Sequence, residues 1–415
     1  MLGLERVQLV LERLDLPRPA RLVSVAGTNG KGSTVALLES LYRASGRKVA
    51  CYTSPHVLRF NERMRVDGQP LGDDQIVNAL QVVEAARGET PLTYFEFGTL
   101  AALLAFAAAG AEVQILEIGL GGRLDAVNAI EPDGSVITNI SLDHCEWLGN
   151  DVESIAREKA GVMRAGKPVV FGSMQAPASI LEIADAKAAR LLLAGRDFYA
   201  DTEGEAPTDR WTFTFARTAP LVLRKPSLVG DFQLHNAAAA LALFFALEGP
   251  GCLSPAAIST ALGEVRVAGR MHSIETSRHW LLDVAHNPAA SEVLAQELAA
   301  RPRPGKLLMI IGVLADKDLA AILRPLLPLV DKWIAVTPRG PRALSAATLA
   351  SRLAELGQCP CRVAADFGTA LQLATELSNA DDLIVITGSF YTVGPALEIL
   401  GPDACAADAN AGAPA

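Results

Sequence analysis

Residues 23–34 read Val-Ser-Val-Ala-Gly-Thr-Asn-Gly-Lys-Gly-Ser-Thr. The apolar start is typical of a buried parallel strand, and the helical run Val35–Arg43 follows the loop. Between them lie three glycines, a lysine, an asparagine and three hydroxyl residues. A loop of this kind directs backbone N–H groups, a helix N-terminus and a lysine charge towards phosphate. The stretch therefore predicts a strand, a nucleotide-binding loop and a helix.

The loop differs from the standard phosphate-binding loop because Gly32 separates Lys31 from Ser33. A glycine loop alone would also fit a tight turn, but the lysine and the hydroxyls favour a nucleotide. We expect Ser33 or Thr34 to lie near the Mg²⁺ that accompanies the phosphates. The loop residues predicted to contact ATP are Thr28, Asn29, Gly30, Lys31, Gly32 and Ser33.

Composition limits the class of protein. The 415 residues suggest two or three domains, and an apolar fraction of 50% allows each a core. A net charge of −9 argues against a nucleic-acid partner. No uninterrupted apolar run reaches membrane-spanning length, residues 1–6 lack the features of a secretory signal, and the six cysteines form no framework. We expect a cytoplasmic protein that contacts neither membrane nor nucleic acid.

Strand-like and helix-like segments alternate through most of the chain, which predicts α/β domains with mainly parallel sheets. A short alternating pattern over Trp211–Leu223 predicts a small antiparallel patch. The pattern restarts near Val267–Arg270 and continues as a second α/β domain. We predict domains at 1–268 and 269–400, followed by a disordered tail at 401–415.

Two polar residues follow predicted strands of the first domain. Glu117 ends the strand Val113–Glu117, and His144 follows the strand Val136–Asn139. Ligands bind beyond the carboxyl ends of strands in an open parallel sheet, so both are candidate metal ligands in a site completed by phosphate and water. For Glu117 and the glycines after it, the alternatives are a solvated glutamate in a glycine turn and a dinucleotide-binding fingerprint. For His144, the alternative is a surface histidine.

Four further residues carry possible chemistry. Lys159 lies on a predicted helix and is either a surface lysine in an ion pair or a buried amine that reacts with CO₂ to give a carbamate. Asp283 and His286 lie at a strand end before a helix that starts with proline, where a polar substrate or adenine-ribose group would fit. Ser389 follows the last strand. For the segment of Asp283 and His286, the alternative is a turn that the aspartate caps.

Taken in order, many segments resemble the Mur ligase superfamily, and most closely its folylpolyglutamate synthase branch, which includes bifunctional bacterial members with dihydrofolate synthase activity. The resemblance covers about Leu2 to Gly394. It rests on these motifs: Gly27–Ser33, Thr53–His56, Asn61–Arg63, Tyr94–Phe97, Glu117–Asn128, Asp143–Gly149, Arg157–Arg164, His235-Asn236, Gly269–Met271, Asp283–Pro288 and Gly388–Gly394. It implies an N-terminal ATP- and pterin-binding P-loop domain and a C-terminal Rossmann-like glutamate-ligase domain.

The resemblance also implies a role for each site residue. The metal positions are Ser33, Ser54, Glu117, His144 and Lys159, with Lys159 carbamylated. Asn236, Arg270 and Asp283 match ATP contacts, while Asp283, His286 and Ser389 fall in the region for glutamate. Thr93, Leu124, Asp125 and Ala126 match the pterin-side contacts. The residues expected to act directly in the chemistry are Lys31, His144, Lys159 and His286.

The implied activity is ATP-dependent addition of L-glutamate to dihydropteroate, to the γ-carboxylate of a reduced folate, or to both, through an acyl phosphate. The cofactors implied are ATP and Mg²⁺, with a need for K⁺ left open, and the working unit is a monomer. Most bacterial members carry additional residues before the segment that matches Leu2–Arg6, and those residues form part of the pterin site in the bifunctional members. The dihydropteroate activity is therefore left open. The alternatives are a Mur-type ligase acting on a cell-wall nucleotide and a non-catalytic nucleotide-binding protein.

Overall fold

The computed structural model describes residues 3–202, 209–216, 218–357 and 361–401. The chain divides into two compact units, Met1–Val265 and Arg266–Ala415. The boundary predicted at residue 268 lies close to this division. The tail predicted at 401–415 lies outside the described residues except for Gly401.

The N-terminal unit is built on an eight-stranded sheet with the order β4-β3-β2-β5-β1-β6-β7-β8. Its strands are β1 (Arg21–Ala26), β2 (Val49–Tyr52), β3 (Met64–Val66), β4 (Gln69–Pro70), β5 (Val113–Glu117), β6 (Gly134–Ile137), β7 (Pro168–Phe171) and β8 (Arg190–Leu193). Strands β3 and β4 add an antiparallel edge, and the remaining pairings are parallel.

The order of the central strands places the functional segments. Strand β1 lies between β5 and β6 and pairs with both in parallel, with Val25 opposite Glu117 and Ala26 opposite Ile137. The loops that leave these three strands therefore emerge side by side at one edge of the sheet. Because every residue of β5 is buried, this edge is anchored to a rigid core.

Helices cover both faces of this sheet, as parallel strands require. They are α1 (Glu5–Leu14), α2 (Lys31–Ala44), α3 (Asp73–Arg87), α4 (Tyr94–Ala108), α5 (Cys145–Leu148), α6 (Val152–Lys159), α7 (Ala178–Ala186), α8 (Asp231–Glu248) and α9 (Pro255–Gly263). Helix α8 is buried along most of its length and packs against α2 and β7. Short 3-10 turns span Phe60–Arg63, Ala126–Ala129 and Ala160–Val162.

The predicted antiparallel patch is confirmed as a three-stranded sheet with the order β11-β10-β9. Its strands are β9 (Phe198–Asp201), β10 (Arg210–Phe215) and β11 (Leu221–Arg224). Trp211, Phe213 and Phe215 alternate inwards along β10, and Phe213 lies 5.8 Å from the ring of Phe245 on α8. These aromatic contacts attach the three-stranded sheet to helix α8.

The C-terminal unit contains a six-stranded sheet with the order β12-β13-β17-β14-β15-β16, parallel except at the β12 edge. Its strands are β12 (His272–Glu275), β13 (His279–Leu282), β14 (Leu307–Ile311), β15 (Lys332–Ala335), β16 (Cys361–Val363) and β17 (Leu383–Thr387). Its helices are α10 (Pro288–Ala300), α11 (Leu319–Leu323), α12 (Ala346–Glu355), α13 (Phe367–Leu377) and α14 (Phe390–Leu400). The predicted mainly parallel α/β fold is confirmed in both units. None of the helices among the described residues has both the length and the apolar character needed to span a bilayer.

Candidate active site

The loop between β1 and α2 has the geometry of a phosphate cradle. Gly27 and Gly30 adopt φ values of +143° and +82°, which favour glycine. The loop is held in place by the segment that follows β6. There the backbone N–H groups of Thr28 and Asn29 donate to the carbonyl oxygen and the side-chain Oδ1 of Asn139 at 2.9 and 3.0 Å. The sequence predicted the loop but not this support from more than 100 residues away.

Two lysines meet at this loop. The Nζ of Lys31 donates to the carbonyl oxygens of Gly27 and Thr28 at 3.2 and 3.1 Å. The Nζ of Lys159, the last residue of α6, donates to the same Gly27 carbonyl at 2.9 Å. Lys159 is only 4% exposed, so its interpretation as a surface lysine is wrong.

The surroundings of Lys159 favour its neutral form. Burial, and then the charge of Lys31, lower the pKa of Lys159 from 10.5 to about 7, while Asp143 and Asp125 act in the opposite direction. A large fraction of this side chain is therefore a free amine at neutral pH. A free amine is the form that reacts with electrophiles such as CO₂.

The buried Lys159 predicts a distinct pH dependence of stability. Between pH about 7 and about 10.5 the unfolded chain binds a proton at this residue and the folded chain does not, so its contribution makes the free energy of unfolding rise with pH. Below that window both forms are charged and the full burial cost remains. We expect Lys159→Met to be more stable than the wild type at pH 6, by on the order of a few kcal/mol, with the difference shrinking at pH 9. Urea unfolding in CO₂-free buffer measures this. Equal pH slopes in both proteins would contradict it.

Glu117 lies at the end of β5 and faces the loop. Its carboxyl group is buried, and its Oε2 accepts a hydrogen bond from the Ser54 backbone N–H at 3.2 Å. A Cβ atom at Gly32 would lie 3.7 Å from that same Oε2. The alternative of a solvated glutamate is therefore wrong. The carboxylate lies between the start of α2 and the segment that contains Ser54.

His144 follows β6 and begins α5. It adopts a left-handed φ of +52°, and its backbone N–H donates to Oδ1 of the buried Asp143 at 2.8 Å. Its ring remains 39% exposed, with Nε2 4.0 Å from Oδ2 of Asp143. The turn thus keeps an accessible imidazole at the same sheet edge as Glu117.

The donors at this edge suit Mg²⁺ or Mn²⁺. Glu117 provides a carboxylate, Ser33 and Ser54 provide hydroxyls, and His144 provides an imidazole. Within the part of the chain that the structure describes, no group of three or more His, Cys, Asp or Glu side chains forms a cage. Carboxylate and hydroxyl oxygens are ligands that Mg²⁺ takes together with phosphate oxygens and water.

Asn236 reaches the nucleotide loop from α8. Its Oδ1 lies 2.7 Å from where a Cβ atom would stand on Gly30, and its Nδ2 donates to Oε1 of Gln233 at 2.9 Å. Gln233 in turn donates from Nε2 to the Ser33 hydroxyl at 3.4 Å. The structure therefore brings the predicted ATP contact Asn236 to the loop, and it adds Gln233, which our reading of the sequence missed.

The predicted pterin-side residues lie on two neighbouring segments. Thr93 caps α4, accepting the Glu96 N–H at 3.3 Å, and the ring of Phe95 packs so closely on Gly119 that a Cβ there would come within 2.5 Å. This contact joins the start of α4 to the loop after β5. That loop carries the half-buried Leu124 and the buried Asp125 and Ala126.

Asp125 shapes the loop after β5. Its carboxylate accepts hydrogen bonds from the backbone N–H groups of Leu120 and Val127 at 2.8 and 3.0 Å. Burial outweighs these bonds and raises the pKa of Asp125 from 3.8 to about 7. The group can thus be present as an acid or as a carboxylate near neutral pH.

The predicted C-terminal residues gather at the carboxyl ends of β13 and β17. The Asp283 carboxylate accepts from the Met271 and Ala285 N–H groups, both at 2.9 Å, and burial raises its pKa. The guanidinium of Arg270 lies 5.5 Å from the ring centroid of Phe390. Its charge opposes the rise in the pKa of Asp283.

His286 and Ser389 complete this group. The Nδ1 of His286 lies 2.8 Å from the Val284 carbonyl oxygen, which indicates that Nδ1 carries a proton. The His286 ring centroid lies 6.1 Å from that of Phe390. Ser389 caps α14 by accepting the Tyr391 N–H at 3.1 Å. Two of the four predicted residues of this unit, Arg270 and His286, therefore lie near the ring of Phe390.

Comparison with known families gives two matches. The family described as the Mur ligase middle domain matches residues 25–244, and the family described as the Mur ligase glutamate ligase domain matches residues 269–390. The first match alone covers more than half of the chain.

Individual proteins match over nearly the full length. A dihydrofolate synthase/folylpolyglutamate synthase of Escherichia coli is 41% identical over 96% of this chain and 91% of its own. A solved structure of E. coli FolC in complex with DHPP and ADP has a TM-score of 0.89 at 40% identity, covering 96% of this chain and 93% of the other. A bifunctional folylpolyglutamate synthase/dihydrofolate synthase solved with Mn, AMPPNP and L-glutamate bound has a TM-score of 0.88 at 41% identity, covering 96% and 94%.

Proposed function

This chain belongs to the Mur ligase family and to its dihydrofolate synthase/folylpolyglutamate synthase branch, and we infer that it is an ATP-dependent ligase that joins L-glutamate to a pterin acid or a reduced folate. The observation that carries the site assignment is the meeting of Lys31 and Lys159 at one loop carbonyl. A phosphate-binding lysine and a buried amine share this position, and Glu117 faces the start of the same helix.

The chain's own groups explain how a carboxylate could be activated. Backbone N–H groups of residues 28–33 and the Lys31 charge would hold the phosphates and stabilise the charge that develops during transfer. The γ-phosphorus–oxygen bond to ADP breaks while a bond forms to an acceptor carboxylate oxygen, which gives an acyl phosphate. The glutamate amine then attacks the acyl carbon, phosphate leaves, and the nitrogen loses a proton. Phosphorylation is needed because a carboxylate has a poor leaving group.

A divalent cation belongs to this proposal. Ser33, Ser54, Glu117 and His144 would hold it, together with a carbamylated Lys159. When bound, it would withdraw negative charge from the phosphate oxygens. The positions of these five side chains would determine where the negative charge of the phosphates is neutralised.

We propose that Lys159 carries a carbamate in the working protein. Its neutral amine forms a nitrogen–carbon bond to CO₂ and loses a proton, so a cation becomes an anion. This exchange replaces repulsion between two lysines at one carbonyl by attraction to Lys31. Carbon-13 NMR of protein equilibrated with labelled bicarbonate should show one carbamate resonance. That resonance should be missing in Lys159→Ala, and its persistence there would overturn the assignment.

Three substrate pairs distinguish the candidate activities. We expect ADP release with dihydropteroate plus glutamate, with a reduced folate plus glutamate, or with both, and mass spectrometry should show the glutamylated products. Release only with a muramyl nucleotide and an amino acid would favour a cell-wall ligase. ADP release that needs no acceptor would favour a nucleotide-binding protein without a ligase step.

Arg270 is proposed as an ATP contact of the C-terminal unit. Its planar guanidinium faces the Phe390 ring, an arrangement that an ammonium group reproduces poorly. We expect Arg270→Lys to raise the KM for ATP about tenfold with a smaller change in kcat. Arg339→Lys, in the exposed pair with Glu398, is the matched control and should behave as the wild type. An unchanged KM in Arg270→Lys would remove the contact.

We also propose that a single copy of the chain is the working unit, and that it acts in the cytoplasm without nucleic acid. Sedimentation velocity in the presence of ATP analogue and acceptor tests the first point. A dimer under those conditions would contradict it.

A further inference from the structure

We propose that Gln233 is a positioning residue that orients the Ser33 hydroxyl towards the divalent cation. Gln233 lies in the first turn of α8 and is only 1% exposed. Its side chain reaches across to the start of α2, some 200 residues earlier in the sequence. This inference rests on the proposed role of Ser33 in binding that cation.

The orientation of the Gln233 amide is fixed on one side by Asn236. The Nδ2 of Asn236 donates to Oε1 of Gln233 at 2.9 Å, so Oε1 is used as an acceptor. The remaining group, Nε2, must then face Ser33, and it lies 3.4 Å from Oγ. Asn236 is itself confined because its Oδ1 faces Gly30, where only a residue without Cβ fits. In this arrangement the hydrogen bond from Asn236 leaves the Nε2 end of the Gln233 amide facing Ser33.

The direction of this hydrogen bond matters for metal binding. A serine hydroxyl has one proton and two acceptor positions. Because Gln233 donates, it occupies one acceptor position and leaves the other for a cation. A side chain at position 233 that accepted a hydrogen bond instead would make the Ser33 hydroxyl point its proton towards that side chain. The lone pairs of Oγ would then point in other directions. Gln233 thus holds Ser33 in the state that a metal ligand requires.

Binding of Mn²⁺ tests this inference without a catalytic readout. The free Mn²⁺ signal in electron paramagnetic resonance gives the dissociation constant in the presence of AMPPNP. We expect Gln233→Met to weaken Mn²⁺ binding about tenfold in the protein with Ser33, and less than about twofold in the Ser33→Ala background. Gln233→Glu keeps the size but accepts rather than donates; because its carboxylate also attracts the cation by charge, its readout is the difference between its effects on the Mn²⁺ dissociation constant with Ser33 and with Ser33→Ala. It replaces the methionine variant if that variant does not fold.

The results separate this inference from the proposed function. If Ser33→Ala weakens Mn²⁺ binding but Gln233→Met has the same effect in both backgrounds, Gln233 does not act through Ser33 and the inference is wrong. If Ser33→Ala leaves Mn²⁺ binding unchanged, the metal role of Ser33 fails and the inference fails with it. Thermal unfolding without metal measures the general cost of losing the Gln233–Asn236 hydrogen bond, and this cost should be the same in both backgrounds.

Discussion

Lys159→Ala is expected to lower kcat about a thousandfold while the protein stays folded. The wild-type amine is buried beside Lys31, donates to the Gly27 carbonyl and has a pKa lowered to about 7. As a carbamate it would supply a negative group next to the phosphate loop, which alanine cannot do. Steady-state kinetics with both acceptors would measure the loss.

Two companion variants make the Lys159 result specific. Lys159→Arg keeps a positive charge but cannot form a carbamate, so it should be as impaired as the alanine variant. Lys167→Ala removes an exposed partner of Asp133 and should keep full activity. Acetate should restore part of the activity of Lys159→Ala by supplying a small carboxylate. Full activity in Lys159→Ala would remove the carbamate from the mechanism, and full activity in Lys159→Arg would assign the effect to positive charge.

Gly27→Ala is expected to abolish nucleotide binding and to destabilise the N-terminal unit by more than about 3 kcal/mol. A Cβ atom at residue 27 would lie 1.8 Å from Oγ1 of Thr138 and 3.1 Å from the Thr138 backbone nitrogen. Gly27 also has a φ of +143°. The Thr138 hydroxyl cannot simply turn away, because it donates to the Asn29 carbonyl at 2.6 Å.

A neighbouring glycine provides the control for this prediction. Gly32 lies inside α2, and a Cβ there would only make an ordinary 3.7 Å contact with Glu117. Gly32→Ala should therefore have the wild-type free energy of unfolding or a slightly larger one, since alanine favours a helix. Calorimetry for ADP binding and urea unfolding would compare the two variants. Wild-type stability and ADP affinity in Gly27→Ala would contradict this prediction, because they would show that the loop can move enough to accommodate the added methyl group.

The sequence was a good guide to the fold because the signals there are local. The apolar strand, the glycine loop and the helix at residues 23–43 follow one another directly, and the structure places β1 and α2 there. The parallel sheet then follows from the alternation of strands and helices. Glu117 could be placed at a strand end for the same reason.

The sequence alone could not show which residues meet across the fold. The burial of Lys159 beside Lys31 depends on contacts between segments more than 100 residues apart. No local pattern separates a buried helical lysine from an exposed one. Gln233 did leave a weak signal, since it stands three positions before Asn236 and so shares its helix face. A polar pair on the face of an apolar helix indicates a buried hydrogen-bonded group.

In the proposed mechanism an acceptor carboxylate is activated by phosphoryl transfer at the loop of residues 27–33. An acceptor with oxygen-18 at both carboxylate oxygens distinguishes this route from others, because one carboxylate oxygen of the acyl phosphate leaves with the released phosphate. We expect each phosphate formed during glutamate addition to contain one oxygen-18 atom, as read by mass spectrometry. Phosphate without the label, formed alongside the glutamylated product, would contradict the account.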